Sequence, residues 1–293
     1  MRHKAGFVTI LGLPNAGKSS LLNALVQEKL AAVSPKAQTT RHRIPAIING
    51  EDYQIVLSDT PGLIDKAAYA LHERMMGFIR EALEDSDFFL LVYDVSVPPA
   101  HHPVIESMRS HFTPDNSLLV LNKWDKGNPE YAAALQKAWP GFYSVRTSVV
   151  TGEGISEVLD WIKQRLPEHP PYFDKESLSS LSMRFFVSEI IREKIFFLYR
   201  DEIPYACHVE VDSYKEDPDM HRISAIIYVE KESQKGILIG RGGEALKKLG
   251  ILAREEIEAL TGQKVFLSLS VKVADGWRKN ERFLKKFGYI SGL

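Results

Sequence analysis

Residues 12–19 read Gly12-Leu13-Pro14-Asn15-Ala16-Gly17-Lys18-Ser19. Two glycines, a lysine and a hydroxyl at this spacing are the parts of a phosphate cradle. Glycine lets the backbone close around phosphate oxygens with its N–H groups turned inward. Lys18 supplies a point charge for the outer phosphates, and the Ser19 hydroxyl can take a place on Mg2+. The expected phosphate-loop contacts are therefore Gly12, Asn15, Ala16, Gly17, Lys18, Ser19 and Ser20. A second element follows about forty residues on, at Ser58-Asp59-Thr60-Pro61-Gly62. There Asp59 is expected to reach the metal, directly or through water, and the Gly62 N–H to meet a γ-phosphate.

The tetrapeptide Asn122-Lys123-Trp124-Asp125 is the most informative in the chain. Guanine presents N1–H and N2–H2 side by side, and one carboxylate accepts both; adenine offers no such pair. A site built on such bonds rejects the wrong base by large factors. Asp125 is the expected base reader. The Lys123 stem can lie along the base plane, and Asn122 can tie this loop to the phosphate loop.

These residues need strands that end where they begin. An apolar run at residues 7–11 precedes the phosphate loop, and helix-forming residues 20–27 follow, so a helix N-terminus also faces the anion. Alternation at Ile44, Ala46 and Ile48, a turn at Asn49-Gly50, and Ile55-Val56-Leu57 read as a hairpin that delivers Asp59. Residues 88–93 and 117–121 read as parallel strands buried on both faces. A further strand, residues 142–147, leads into Ser148-Val149, and a helix over 155–166 follows. Strands alternating with helices predict a doubly wound parallel α/β sheet with ligand loops at the strand C-terminal ends.

The chain has 293 residues, enough for two domains, with 44% hydrophobic and 26% charged residues, as in ordinary globular proteins. A net charge of −1 excludes a uniformly basic coat but allows local basic patches. The single cysteine, Cys207, excludes an intrachain disulfide and points to a reducing compartment, where it reads as a small buried apolar residue. Residues 1–13 lack the apolar length and cleavage site of a signal peptide, and no run reaches membrane-span length. A cytoplasmic location is expected, with peripheral membrane contact left open.

Prolines and serines over 167–182 mark a boundary. The expected division is residues 1–170, a linker at 171–183, and a second domain at 184–293. In the second half a helix over 183–200 precedes two strands, 206–214 and 222–229. Then come a short helix, Gly240-Arg241-Gly242-Gly243, an amphipathic helix over 244–260 and a strand over 265–273. The tail interleaves Trp277, Arg278, Lys279, Arg282, Lys285 and Lys286 with Phe283, Phe287 and Tyr289. This pattern suits either stacking with phosphate contact or a basic helix docked on its own domain.

The ordered set G-L-P-N-A-G-K-S, Q-T-T-R, D-T-P-G, N-K-W-D and T-S-V resembles translation-factor-type GTPases of the Era and TrmE-like branch. The α-β-β-α-α-β order with I-G-R-G-G resembles an α+β type II KH domain, whose G-x-x-G loop clamps a nucleotide backbone. A GTPase domain followed by a KH domain is the Era arrangement, and the resemblance covers essentially the whole chain.

The resemblance implies GTP and GDP as ligands with Mg2+ held by Ser19, Thr40 and Asp59. Lys18, Thr40 and Gly62 serve the γ-phosphate, and no catalytic base is identified. Residues 31–43 act as a first switch and residues 59–70 as a second. Ser148 and Val149 stand where the family has Ser-Ala, and its contact there is a backbone N–H to the guanine oxygen. The RNA contacts would be Ile239, Gly240, Arg241, Gly242, Gly243, Lys247 and Lys248, with an apolar groove including Ile237. Leu63 stands where many GTPases place a water-orienting glutamine, so intrinsic turnover should be slow. Asn15 stands where some relatives hold K+. The implied partners are the 3′ region of 16S rRNA and the 30S subunit, the implied role is in small-subunit assembly, and a monomer is expected. A membrane-associated regulatory GTPase, with peripheral inner-membrane contact through the second half, is the competing reading.

Overall fold

The computed structural model describes residues 3–64 and 68–290. Expectations that fall on residues 65–67, within the second switch, lie outside the described residues. The described residues sort into two compact units. The first draws on Met1–Ala31, Thr40–Ala67 and Met75–Ser180. The second joins Ala32–Thr39 and Ala68–Arg74 to the chain from Leu181 onwards.

In the first unit the strands are β1 (Lys4–Gly12), β2 (Ile44–Asn49), β3 (Tyr53–Asp59), β4 (Phe88–Asp94), β5 (Ser117–Asn122) and β6 (Tyr143–Thr147). They form one sheet in the order β2-β3-β1-β4-β5-β6. β2 runs antiparallel to β3 and the other pairs are parallel. Helices α1 (Lys18–Val26), α2 (Ala70–Asp85), α3 (Pro103–Ser107) and α4 (Pro129–Ala138) lie between them, and α5 (Ile155–Arg165) follows β6. Leu90, Leu118, Leu119 and Val120 are fully buried, as parallel strands covered on both faces must be.

The register places the chemistry. Ile10 pairs with Asp59, Gly12 with Val92, Asp94 with Asn122, and Asn122 with Thr147. The C-terminal ends of β1, β3, β4, β5 and β6 therefore share one edge of the sheet, where ligand loops gather in open α/β folds. β1 is longer than the apolar run alone predicts, because pairing with β3 carries Lys4–Gly6 into the sheet.

The stretch that composition marks as a linker is pinned along the edge strand. Ile47 N–H donates to the Leu178 carbonyl at 2.8 Å, and the Ser179 hydroxyl to the Pro45 carbonyl at 2.5 Å. The fully buried Gln54 accepts from the Tyr172 and Phe173 N–H groups at 2.7 and 3.0 Å and donates to the Phe173 carbonyl at 2.9 Å. An unpaired edge invites wrong pairing, and here the chain covers its own.

The second unit contains α6 (Met183–Leu198), α7 (Ile203–Ala206), β7 (His208–Glu216), β8 (His221–Val229), α8 (Glu232–Ile239), α9 (Glu244–Thr261), β9 (Val265–Val273) and α10 (Glu281–Lys286). The sheet order is β7-β8-β9, with β7 antiparallel and β9 parallel to β8. Val187, Ile191, Ile195, Ile223, Ile227, Leu249, Ala253 and Ile257 form its core.

Two expectations change. Ala206 belongs to α7, not to a strand, because Pro204 fixes a helical φ at the start of that turn. Of the tail aromatics, Trp277, Phe287 and Tyr289 do not offer free stacking faces. Trp277, Phe287 and Tyr289 are buried around His208, and Trp277 Nε1 donates to the Ala206 carbonyl at 2.8 Å. Cys207 is fully buried. No helix of the described residues is long and apolar enough to cross a membrane.

Candidate functional site

The phosphate loop turns because its residues permit it. Asn15 and Gly17 take φ of 64° and 94°, the left-handed region, and Gly17 caps α1. A Cβ on Gly12 would stand 2.4 Å from the Val92 carbonyl oxygen, and one on Gly17 would stand 2.3 Å from Asn122 Nδ2. Glycine at both positions is thus required by packing, whatever the ligand. Ala16 is buried, Asn15 is exposed, and Ser20 lies half-buried in the first turn of α1. Lys18 is buried and donates to the Gly12 and Leu13 carbonyls, each at 3.0 Å. Burial pushes its amine down to about 8, with the Asp59 carboxylate opposing the shift.

The three residues expected at the metal come together. Ser19 Oγ donates to Asp59 Oδ2 at 2.6 Å, Thr40 Oγ1 donates to the same oxygen at 3.1 Å, and the two hydroxyls are 2.8 Å apart. Burial pushes the Asp59 carboxyl up, against the pull of Lys18 and these hydroxyls. Its other oxygen, Oδ1, is buried with no hydrogen-bond partner among the described residues. Two hydroxyls and a carboxylate with an unpaired buried oxygen are hard donors, and they fit Mg2+. Ser19, Thr40 and Asp59 would hold the ion, which when bound neutralises charge on bridging phosphate oxygens.

Gly62 lies against the phosphate loop, where an added Cβ would meet Pro14 at 2.9 Å. Leu63 points elsewhere. It is 3% exposed and packs with Leu11, Ile79, Leu83, Phe89 and Leu91. Its side chain has no polar atom to orient a water.

The base-reading loop is tied down at each residue. Asn122 Nδ2 donates to the Ala16 carbonyl at 2.8 Å, and its Oδ1 accepts from Thr147 Oγ1 at 3.0 Å. Lys123 takes φ of 61° and its Nζ donates to Asp94 Oδ2 at 2.5 Å. Burial alone would raise the Asp94 carboxyl, but Lys123 and Ser96 hold it below its ordinary range. Ser148 is fully buried and donates from Oγ to Asp125 Oδ1 at 2.8 Å. Val149 is half-buried beside it. Sequence reasoning missed Asp94, which reaches the site through sheet register rather than through a motif; Thr147 stands in the T-S-V motif, but its bond to Asn122 was not foreseen.

In the second unit Gly240, Gly242 and Gly243 take φ of 74°, 60° and 82°. A Cβ on Gly240 would stand 2.6 Å from that of Ala245, so the loop folds tightly onto the start of α9. Gly243 caps α9, and Arg241 is exposed at the loop tip. Beside the loop, α9 and β9 enclose a groove of about 360 Å³. Leu246, Lys247, Gly250, Ile251, Arg254 and Phe266 line it. Phe266 is 55% exposed and Ile251 41%. Ile239 does not line the groove; it is half-buried against the core, and Ile237 is the exposed neighbour. Lys248 is exposed and is not among the residues that line the groove. Residues 250, 251, 254 and 266 were not expected, and their helical spacing on α9 is the signal that could have found three of them.

Comparison with known proteins identifies the family. A family model described as a 50S ribosome-binding GTPase matches residues 7–123, and a KH-domain model matches residues 202–278. The chain is 44% identical to the GTPase Era of Syntrophus aciditrophicus over 294 residues, covering 98% of this chain and 95% of that one. It is 42% identical to a chloroplastic GTPase, ERA1 of Zea mays, covering 98% of this chain and 71% of that one.

Two solved structures superpose with a TM-score of 0.91 at 34% identity. One is Era in complex with MgGDPNP and nucleotides 1506–1542 of 16S ribosomal RNA, covering 99% of this chain and 100% of that one. The other is an Aquifex aeolicus Era variant bound to GDP and AlF4−, covering 98% and 100%. A P-loop α/β domain followed by an α+β KH domain is matched along nearly its whole length: this chain binds GTP and GDP with Mg2+, hydrolyses GTP, and belongs to the Era family of GTPases.

Proposed function

We propose that the protein is a nucleotide-switched RNA-binding GTPase that engages small-subunit rRNA near its 3′ end during 30S assembly. The observation that carries this reading is the groove between α9 and β9. It pairs apolar, exposed Ile251 and Phe266 with cationic Lys247 and Arg254 beside a three-glycine loop. Single-stranded bases stack on apolar and aromatic faces while phosphates meet cations, and a glycine loop lets a nucleotide backbone approach closely. The 16S rRNA fragment in the similar Era complex supports the choice of RNA.

Residues 1–170 carry the nucleotide chemistry, residues 171–183 connect, and residues 184–293 carry the RNA contacts. The protein works as a cytoplasmic monomer. The tail directs its Trp277, Leu284, Phe287 and Tyr289 side chains into its own domain, which leaves them unavailable to lipid. Because Leu63 is a core residue, intrinsic hydrolysis is slow. Asn15, exposed with left-handed backbone at the phosphate loop, holds a K+ ion near the phosphates. Equal hydrolysis rates in K+ and Na+ would remove that assignment.

The test is binding of a short single-stranded RNA from the 3′ end of 16S rRNA at fixed salt, with GTP analogue, with GDP and without nucleotide. The expected result is tight binding that GTP analogue favours and that Gly240→Asp with Gly243→Asp abolishes. Absence of binding in all three states overturns the RNA reading and leaves a GTPase whose partner is a lipid surface or another protein.

A further inference from the structure

The base-reading loop after β5 is laced to the chain that leaves β4. Val95 N–H donates to the Asn122 carbonyl at 3.1 Å, and Asn128 N–H donates to the Val95 carbonyl at 2.8 Å. The fully buried Val95 side chain packs with Leu121, Ala132 and Leu135. Asp94, the last residue of β4, pairs in register with Asn122. The backbone that carries Asp94 is thus fixed against the backbone that carries Lys123, and all of these residues belong to the first unit.

Asp94 is held at both oxygens. Its Oδ1 accepts from the Ser96 N–H at 2.9 Å and from the Ser96 hydroxyl at 2.5 Å. Its Oδ2 accepts from Lys123 Nζ at 2.5 Å. The two side chains are 16% and 29% exposed, so this is not one of the solvated surface pairs that contribute little. An unheld lysine carries its charge on a flexible four-carbon stem. Here one end of the stem is set by a left-handed backbone, with φ of 61°, and the other by Asp94. Between these ends the stem passes the phosphate loop: Lys123 Cε lies 3.9 Å from the point that a Cβ on Gly17 would occupy.

Two uses of this lysine make opposite demands on its neighbour. A lysine that offers its charge to phosphates is weakened by a carboxylate in contact with it. A lysine that offers its apolar stem is improved by the same carboxylate, which neutralises the head and orders the stem before the ligand arrives.

We propose that Asp94, locked by Ser96, is a positioning residue for the nucleotide site: it tethers Lys123 Nζ so that the methylene stem stands ready as the floor on which the guanine ring lies. The inference rests on the reading of Lys123 as the residue along the base plane. Removing the Asp94 carboxylate deletes a negative charge beside an anionic ligand, which on charge alone would tighten binding. Loss of the tether weakens it, so the sign of the effect separates the two.

The experiment measures the affinity of the full chain for GDP and for inosine diphosphate, with Mg2+, in wild type, Asp94→Asn, Lys123→Ala and the double variant. Inosine lacks the 2-amino group that Asp125 is expected to read, so the ratio of the two affinities reports the edge of the base and not its face. Asp94→Asn should weaken both nucleotides about three- to tenfold, the cost of ordering one long side chain, with the ratio and the thermal midpoint unchanged. Lys123→Ala should weaken both at least as much. Adding Asp94→Asn to it should cost nothing further, because residues that act through one contact are not additive. If Asp94→Asn binds as wild type or tighter while Lys123→Ala is weak, the inference fails and the Lys123 reading stands. If Lys123→Ala binds as wild type, both fail. A changed ratio in Asp94→Asn, or losses that add in the double variant, would mark Asp94 as a support of the whole loop and overturn the proposal.

Discussion

The Asn122 side-chain amide donates to the Ala16 carbonyl at 2.8 Å, so the loop that reads the base and the loop that holds the phosphates share a hydrogen bond. The same side chain accepts from Thr147, one residue before the Ser148 that orients Asp125. Three strand ends thus meet at one asparagine, which ties the expected guanine reader to the phosphate cradle. Preorganisation of this kind removes an ordering cost from binding.

Replacing Asn122 with alanine removes a donor and an acceptor from a buried site and leaves the Ala16 carbonyl and Thr147 hydroxyl short of partners. Each such loss costs about 1–3 kcal/mol. Affinity for GDP should fall by about one to two powers of ten. The measurement is equilibrium titration with a fluorescent GDP. Unchanged affinity in a folded Asn122→Ala protein would show that the two loops are ordered by something else.

Lys18 gives the nucleotide-free protein a pH signature. Burial moves its amine from the ordinary 10.5 down to about 8. Between those values the unfolded chain binds more protons than the folded one, so stability rises with pH. Above pH 10 the opposite sign enters, because burial holds the Tyr93 and Tyr199 hydroxyls up at about 12 while unfolded tyrosines ionise. The clean window is therefore pH 8 to 10. Urea unfolding across that window should show a stability gain in the wild type that Lys18→Met lacks. Added Mg2+ and GDP should flatten the wild-type curve, since phosphate keeps the amine charged. Identical slopes in wild type and Lys18→Met would contradict the shift.

Most of the candidate nucleotide site was legible because its chemistry is local. The phosphate loop, Asp59 at the end of β3 and Asn122 to Asp125 after β5 need particular residue types at fixed short spacing. The remainder arrives by register or by packing, which short spacing does not encode. Asp94 meets Lys123 because β4 pairs Asp94 with Asn122, twenty-eight residues on. Phe266 joins α9 residues in the groove because β9 is the sheet edge, a fact of strand order alone. The segment 32–39 carries no periodicity, and only its bonds to Arg192, Glu193 and α6 carbonyls reveal which unit it folds with. In the tail, interleaved basic and aromatic residues suit stacking and docking equally, and His208 on β7 decides for docking.

Two glycines in helical or loop positions should respond oppositely to the same change. Gly77 sits inside α2 with nothing within 4 Å of an added Cβ and no positive φ. Gly77→Ala should raise stability by about 0.5–1 kcal/mol, by reducing the entropy of the unfolded chain. Gly240 has φ of 74° and a Cβ there would stand 2.6 Å from that of Ala245. Gly240→Ala should deform the loop and weaken RNA binding while leaving nucleotide affinity intact. Denaturant midpoints and RNA titrations check the pair; equal effects of the two changes would mean that open space and backbone angle do not control these sites.

The groove beside α9 separates charge from contact. Lys247 and Arg254 lie seven residues apart on one helix, about 10 Å along its axis, so they meet different phosphates of a bound strand. For single strands, each phosphate neutralised contributes about 0.7 to the slope of log affinity against log salt. Lys247→Ala and Arg254→Ala should each weaken RNA binding and reduce that slope by about 0.7. Ile251→Ser and Phe266→Ser remove apolar surface that carries no charge. They should weaken binding by about 1–3 kcal/mol with the slope unchanged, as loss of a stacked base does. Titrations at four salt concentrations distinguish the two classes. A slope that falls in the Phe266 variant, or stays fixed in both cation variants, would place the strand outside this groove.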